Sequence, residues 1–162
     1  RDILKMLYND ILYRDIVARN KIQQVKILRE TALYLLSNIS SLFTYNRIKN
    51  SFNVNSVNTI KNYIEFLEDS FLLFVVNGFS YSYREQILNP KKAYCIDNGL
   101  IDSVAFNFSE NKGKYLENLV FLELKRRGKE IYYYKTSANR EVDFIIKEGK
   151  RNEILIQVSL SI

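Results

Sequence analysis

The sequence predicts a mixed α/β fold in which helices come first and strands follow. Apolar residues recur every three or four positions between residues 25 and 71, which is the spacing of a buried helix face. After residue 71 the apolar residues form short continuous or alternating runs of strand length. With 162 residues, of which 47% are hydrophobic, the chain can bury the core of one ordinary domain or of two small ones.

Three helices account for residues 25–71, and a short polar turn joins the last two. The second helix covers residues 44–52 with Thr44 as its N-cap, and Asn55 or Ser56 caps the third. The predicted inward positions of the three helices are Val25, Leu28, Ala32, Leu35, Ile39, Tyr45, Ile48, Phe52, Val57, Ile60, Ile64, Leu67 and Phe71. Because a short turn joins the last two helices, the pattern is typical of a helix-turn-helix.

Strand-like segments follow this motif at residues 71–76, 79–83 and 92–96. Strands after a helix-turn-helix are typical of a winged helix, so we assign residues 25–100 to a winged-helix-like domain. Residues 1–24 are predicted to be a helical connection to a missing part of the protein. The apolar residues of this connection are expected to dock on that part, and in the isolated chain to form a homodimer or an exposed apolar patch. They are Ile3, Leu4, Leu7, Ile11 and Leu12.

Residues 101–162 form the second predicted domain. A helix at residues 115–127 ends at Gly128, and three strand candidates follow at residues 131–135, 141–147 and 154–160. The chain stops directly after the last of them, so we expect that this domain is truncated.

Several classes of site are excluded by composition. The sequence has no His, so a catalytic triad or a His-ligated metal is ruled out. Cys95 is the only cysteine and lies in an apolar run, which indicates a small buried residue in a reducing cytoplasm. The sequence contains no phosphate-binding loop of the P-loop type, and no apolar run is long enough to span a membrane. We therefore expect a cytoplasmic protein without a membrane partner.

The last domain carries a set of acidic residues that could bind a metal ion. Glu117 lies on the predicted helix, and Glu141 and Asp143 are two positions apart on a strand, so they share one face. Carboxylate oxygens are ligands that Mg²⁺ prefers, and the ion could activate water against a phosphodiester. The alternatives are that Glu117 is an exposed helix acid and that the strand acids form a solvated face.

The segments "EVDFII" and "ILIQVS", after a helix that carries Glu, resemble the PD-(D/E)XK nuclease fold. The chain also resembles the C-terminal region that follows the ATPase core in a family of prokaryotic AAA+-type ATPases. Nearly the whole chain takes part in this resemblance, through "LYRDIVARNKI", "TIKNYIEFLEDSFLLF", "NPKKAYCIDNGL", "GKYLENLVFLELKRRG" and "REVDFII". It implies a winged helix followed by a small restriction-endonuclease-like domain, with ATP used only in the missing N-terminal part.

The resemblance also implies roles for single residues. Glu117 becomes the helix acid and Asp143 the central acid, both as metal ligands. Gln157 stands where the motif has its second acid, and Ser159 where it has lysine. Gln157 would bring a carbonyl oxygen without charge, and Ser159 cannot act as a cation. We therefore expect weak or no cleavage, unless Lys135 or Lys147 supplies the missing charge.

DNA contact is predicted at the start of the third helix and on the helix before it. Amides, hydroxyls and cations suited to a major groove or to phosphates are found at Arg47, Lys49, Asn55, Ser56, Asn58, Thr59, Lys61 and Asn62. The formal net charge of +6 is compatible with a nucleic-acid partner. The same polar residues could instead cap the helix, and Glu65, Glu68 and Asp69 oppose phosphate contact farther along it.

Three functions are therefore considered. The first is a regulatory, DNA-engaging, target-recognition module at the C-terminus of an AAA+-type ATPase, whose partners are DNA and the ATPase domain of the same protein. The second is a Mg²⁺-dependent DNA nuclease that uses Glu117, Asp143 and Gln157. The third is a module for protein interaction.

Overall fold

The computed structural model describes residues 2–106, 112–136, 140–149 and 152–160. Within these residues helices alternate with two three-stranded antiparallel sheets, which confirms the predicted mixed α/β class. The helices are α1 (Asp2–Asp10), continued by a π-helical segment (Ile11–Ala18), α2 (Val25–Ser37), α3 (Tyr45–Ser51), α4 (Val57–Asp69), α5 (Tyr83–Leu88), α6 (Asn98–Val104) and α7 (Lys112–Arg126). The strands are β1 (Leu42–Phe43), β2 (Leu73–Asn77), β3 (Lys91–Cys95), β4 (Glu130–Lys135), β5 (Glu141–Glu148) and β6 (Asn152–Ile156).

Capping side chains set the starts of the helices in the first half. The Thr44 hydroxyl accepts a hydrogen bond from the Arg47 N–H at 3.1 Å, and the Ser56 hydroxyl accepts one from the Asn58 N–H at 3.2 Å. The predicted cap at Thr44 is confirmed, and Ser56 rather than Asn55 caps α4. Ile60, Ile64 and Leu67 on α4 are buried, as the spacing predicted.

The first sheet has the order β1-β3-β2, with both pairs antiparallel. Every residue of the central strand β3 is buried, including two lysines, Lys91 and Lys92. Val76 on β2 is the partner of Lys92, and Leu73 is the partner of Cys95. This strand therefore carries charged side chains into the interior of the protein.

The second sheet has the order β4-β5-β6 and follows α7. It is joined to the first sheet where Gly78, directly after β2, pairs with Tyr133 on β4 in a parallel bridge. The Phe79 N–H donates to the Tyr133 carbonyl oxygen at 2.7 Å. A Cβ at position 78 would lie 2.9 Å from the Tyr133 hydroxyl oxygen, so this close approach requires glycine.

Two apolar clusters fill the interior. The larger one lies among α1, α2, α4 and the first sheet, and Leu12 and Ile16 of the π-helical segment belong to it. The smaller one joins β3 to α7 and β5, and in it the Tyr94 ring stacks on the Phe121 ring with a centroid distance of 4.3 Å. In the part of the chain that the structure describes, none of the helices combines the length and the apolar character that a membrane span needs.

Three secondary-structure predictions are wrong. Residues 79–83 do not form a strand, because Ser82 caps α5 and the Ser80 hydroxyl donates to the Glu85 carboxylate at 2.6 Å. Phe71 does not belong to the buried face of α4. It follows the helix with φ 57° and is 67% exposed. The last strand ends at Ile156, so Gln157 lies beyond it.

The prediction that the apolar residues of the first helix dock elsewhere is wrong for part of the set. Leu12 is fully buried in the larger cluster, and Leu4 and Ile11 pack against it. Ile3 and Leu7 are 80% and 49% exposed. One face of this helix therefore belongs to the core of this chain, and exposed apolar side chains lie beside that face.

Candidate functional site

The Lys92 ammonium group lies among three carboxylates that come from two other elements. It is 2.9 Å from Glu117 Oε1 on α7, 2.5 Å from Glu141 Oε1 and 3.7 Å from Asp143 Oδ1 on β5. Glu141 and Asp143 share one face of β5 because side chains alternate along a strand. We call Lys92, Glu117, Glu141 and Asp143 the carboxylate–lysine cluster.

The carboxylate–lysine cluster is largely shielded from water. The Lys92 side chain is 1% exposed, and those of Asp143, Glu117 and Glu141 are 11%, 12% and 33% exposed. Burial opposes the charge on Lys92, but the charges and hydrogen bonds of Glu117 and Glu141 outweigh it and raise its pKa. Burial raises the pKa of Glu117 even though the lysine opposes that shift. Lys92 is therefore held as a cation by its neighbours.

Two tyrosines border the cluster. The Tyr94 hydroxyl donates to Glu117 Oε1 at 2.7 Å, and burial raises the pKa of this phenol, so it remains a donor. The Tyr133 ring centroid lies 5.9 Å from the Lys92 ammonium group, within cation–π range. Both contacts stabilise the charge arrangement from the side of the apolar core.

Gln157 and the main chain after β6 hold Asp143 from the opposite side. The Gln157 side-chain amide donates to Asp143 Oδ2 at 2.6 Å, and the Val158 N–H donates to the same oxygen at 2.8 Å. Gln157 was expected to offer an oxygen from a strand. Instead Gln157 lies after β6 and acts as a donor. Residues 157 and 158 donate hydrogen bonds to the Asp143 side chain and are not paired with the main chain of β5. Ser159 is exposed in this same segment.

The predicted magnesium ligands do not fit a resident divalent ion in this arrangement. A divalent ion would need oxygens of Glu117 and Asp143 to converge on it, and the Lys92 ammonium group occupies the point where they converge. The other oxygen of Asp143 already accepts two hydrogen bonds. Among the described residues, no group of three or more His, Cys, Asp or Glu is arranged to hold a metal ion.

Lys92 is the functional candidate that the sequence analysis missed. Lys147 and Lys135 were considered for the missing positive charge. The Lys147 ammonium group lies 5.7 Å from the Phe79 ring centroid, and Lys135 is exposed. The signal that could have identified Lys92 is a charged residue inside a short apolar strand, since a lysine is rarely buried without an acidic partner.

Most of the predicted DNA-binding residues lie on the exposed surface of the α3–α4 pair. The exposed ones are Arg47, Asn55, Ser56, Asn58, Lys61 and Asn62, whereas Lys49 and Thr59 are half-buried. The Lys61 ammonium group lies 5.6 Å from the Tyr45 ring centroid. We call these eight residues the polar α3–α4 surface.

A groove lies beside this surface, between α4 and α5. Its volume is about 550 Å³, and its lining includes Tyr45, Lys61, Glu65, Glu68 and Lys91. Burial and the charge of Lys61 lower the pKa of Lys91, whose ammonium group donates to three main-chain carbonyls at the end of α5. The groove thus has charges of both signs, with Glu65 exposed and Glu68 half-buried.

Comparison with known proteins assigns the chain to a family. Residues 1–111, about two thirds of the chain, match the model of the family "Domain of unknown function (DUF8612)". The chain belongs to the DUF8612 family. Residues 112–161 match a second model, "Domain of unknown function (DUF4143)". Within the cluster, Lys92 thus comes from the DUF8612 region, and the three acids come from the DUF4143 region.

Two longer curated proteins are similar to this DUF8612 chain along nearly all of its length. The uncharacterized protein MJ1544 of Methanocaldococcus jannaschii is 39% identical over 165 aligned positions, which cover 98% of the chain and 36% of the relative. An uncharacterized protein of Haemophilus influenzae is 30% identical, over 99% of the chain and 40% of the relative. The chain therefore spans well under half the length of these relatives. No solved structure matches it.

Proposed function

We propose that this chain is the C-terminal target-recognition module of a longer AAA+-type ATPase and that it engages DNA through the polar α3–α4 surface. The observation that carries the proposal is the order of elements around α4. A helix, a short strand and two helices are followed by two strands with the short helix α5 between them, and the sheet order is β1-β3-β2. This order supports assigning the unit to the winged-helix class, in which the last of the three helices is the usual DNA-reading element.

The exposed start of α4 supports the DNA part of the proposal. Asn58, Lys61 and Asn62 are exposed on the first two turns of the helix. Amide side chains can pair with base edges, and the helix N-terminus suits a phosphate. Arg47 and Lys49 add positive charge on α3, and residues 1–52 as a whole hold nine basic and four acidic residues.

The exposed face of α1 supports the link to a further domain. Ile3, Met6 and Leu7 are exposed apolar side chains on α1, and such a patch is typical of a contact surface. The two curated relatives are more than twice as long as this chain, so they have room for a catalytic domain. In the proposed protein that domain would hydrolyse ATP, and this chain would select the target.

The arrangement around Asp143 supports a non-cleaving role for the nuclease-like part. Glu117 lies on the helix α7 and Asp143 on β5, the central strand of the second sheet, which is compatible with the roles that the resemblance implies. Lys92 and Gln157 satisfy these carboxylates from within the protein. We therefore propose that this part is a scaffold derived from a nuclease-like fold.

Fluorescence anisotropy with a labelled DNA duplex at 50 and 200 mM salt tests the proposal. Binding should weaken with salt, because phosphate contacts release counterions. The Asn58→Glu variant should bind about tenfold more weakly, which is the size of a typical base or phosphate contact. A carboxylate in the first turn of a helix suits the helix dipole, so this change should leave the fold intact.

Asn9→Glu is the matched control, because Asn9 is also exposed and receives the same change of charge on α1. Equal weakening by the two variants, or no salt-dependent binding at all, would contradict DNA contact through α4. The second of these results would favour a protein-interaction module. Cleavage that needs Mg²⁺ or Mn²⁺ and disappears in Asp143→Ala would instead favour a nuclease.

A further inference from the structure

The position of Lys92 within its cluster is unusual for a lysine. Its side chain is 1% exposed, and its ammonium group is 2.5 to 3.7 Å from oxygens of three carboxylates. We propose that Lys92 is a built-in cation that closes this carboxylate centre to divalent metal ions, and that removing its ammonium group converts the centre into a divalent-cation site. This inference does not depend on DNA binding.

The geometry around the ammonium group provides the first argument. Glu117 Oε1, Glu141 Oε1 and Asp143 Oδ1 all lie within 3.7 Å of the Lys92 ammonium nitrogen, although they come from α7 and from β5. Three carboxylates and one ammonium group leave two uncompensated negative charges at this point. A divalent ion would balance these carboxylates better than one ammonium group does, and carboxylate oxygens are its preferred ligands.

The size of the space provides the second argument. Shortening Lys92 to alanine removes the stem and the ammonium group from a buried position on β3. The oxygens stand farther from the ammonium nitrogen than the ~2.1 Å that Mg²⁺ requires, and Ca²⁺ tolerates ~2.3–2.6 Å and irregular geometry. The opened centre should therefore favour larger hard cations, such as Ca²⁺, Mn²⁺ or Tb³⁺, over Mg²⁺.

The surroundings provide the third argument. Gln157 and Val158 donate to Asp143 Oδ2, and Tyr94 donates to Glu117, so these carboxylates are held in place by contacts other than Lys92. Outer contacts of this kind orient the ligands of metal sites. The acids should therefore keep their arrangement when the lysine is shortened and an ion takes its place.

Tb³⁺ luminescence is the direct test, because Tyr94 lies against the cluster and tyrosine transfers excitation energy to a nearby Tb³⁺ ion. The Lys92→Ala variant should show saturable emission at about tenfold or more lower Tb³⁺ concentration than the wild type. Ca²⁺ and Mn²⁺ should compete with this signal more strongly than Mg²⁺. Adding Asp143→Asn to Lys92→Ala should remove it.

Lys91→Ala is the matched control, because Lys91 is the neighbouring buried lysine of β3 but contacts carbonyls at the end of α5 instead of the acids. Circular dichroism with and without Ca²⁺ covers the case in which Lys92→Ala folds poorly. Recovery of the native spectrum by the ion would also support the proposal.

Three results would overturn the proposal that Lys92 closes the carboxylate centre to divalent ions. In the first, a folded Lys92→Ala variant binds no more tightly than the wild type or the Lys91→Ala control. In the second, binding survives the Asp143→Asn change. In the third, the variant is unfolded and no divalent ion restores it.

Discussion

Replacing Lys92 by methionine should destabilise the protein strongly. Methionine keeps most of the length and volume of the side chain, so the change removes mainly the positive charge. The charge is 1% exposed and pairs with Glu117 and Glu141 at 2.9 and 2.5 Å, so solvent screens it little. Removing one partner of such a buried pair costs about 3–5 kcal/mol of unfolding free energy. For a chain of this size that corresponds to a fall in Tm of roughly 6–20 °C.

Urea denaturation at pH 7.5 measures this change, with the slope of the transition checked for two-state behaviour. Lys26→Met is the control, since Lys26 is 76% exposed and its pair with Glu30 spans 3.8 Å. It should change the free energy of unfolding by about 0.5 kcal/mol or less. If Lys92→Met costs no more than this control, the cluster does not stabilise the fold and the reasoning fails.

Lowering the pH should reduce the loss of unfolding free energy that Lys92→Met causes. Burial already raises the pKa of Glu117, and Lys92 is the main group that opposes this shift. Without the lysine, the pKa of Glu117 in the folded state lies still farther above its pKa in the unfolded state. As the pH falls, Glu117 therefore takes up its proton in the folded protein at a higher pH than in the unfolded chain. Stability then rises as pH falls from neutral toward the unfolded value of 4.5. If the loss of unfolding free energy caused by Lys92→Met stays constant over this pH range, Lys92 does not control the protonation of Glu117.

Three further predictions concern other parts of the fold. Glu68→Gln should reduce the pH dependence of stability, because burial raises the pKa of Glu68 and its contribution to wild-type stability therefore falls as pH rises through that pKa. Urea titrations at several pH values test this. Gly128→Ala should cost about 1 kcal/mol in the same assay, because Gly128 has φ +67° with open space around it, so only backbone strain opposes a side chain. Cys95 should resist thiol reagents at pH 8 until the protein unfolds, because burial raises the pKa of its thiol to about 12.

The sequence was a good guide where one periodicity dominated. The helices around Leu28 and Ile60 were predicted from apolar spacing, and the Thr44 cap was predicted from its position before a helix. The alternation of aromatic and serine residues at positions 79–83 predicted a strand that the structure does not have. The Phe79 ring packs edge-on against the Tyr81 and Tyr132 rings, so aromatic contact rather than strand pairing explains the pattern there.

The candidate site could be predicted only in part. Glu117 and Asp143 do come together, because a helix and a strand close in sequence pack on each other. The cation between them comes from β3, about fifty residues before Asp143, and no local pattern connects the two positions. Gln157 keeps its contact with Asp143 but as a donor, and the residue type alone does not decide the direction of a hydrogen bond.

The join between the two sheets affects how the protein can be divided. Family matching separates the chain between residues 111 and 112. A fragment that ended there would keep Lys92 but lose its three acids, and it would lose the strand that pairs with Gly78. The complementary fragment would carry three clustered carboxylates without their cation. The border between the two family matches therefore does not coincide with a border between independent sets of contacts, and we expect a fragment cut there to be less stable than the undivided chain.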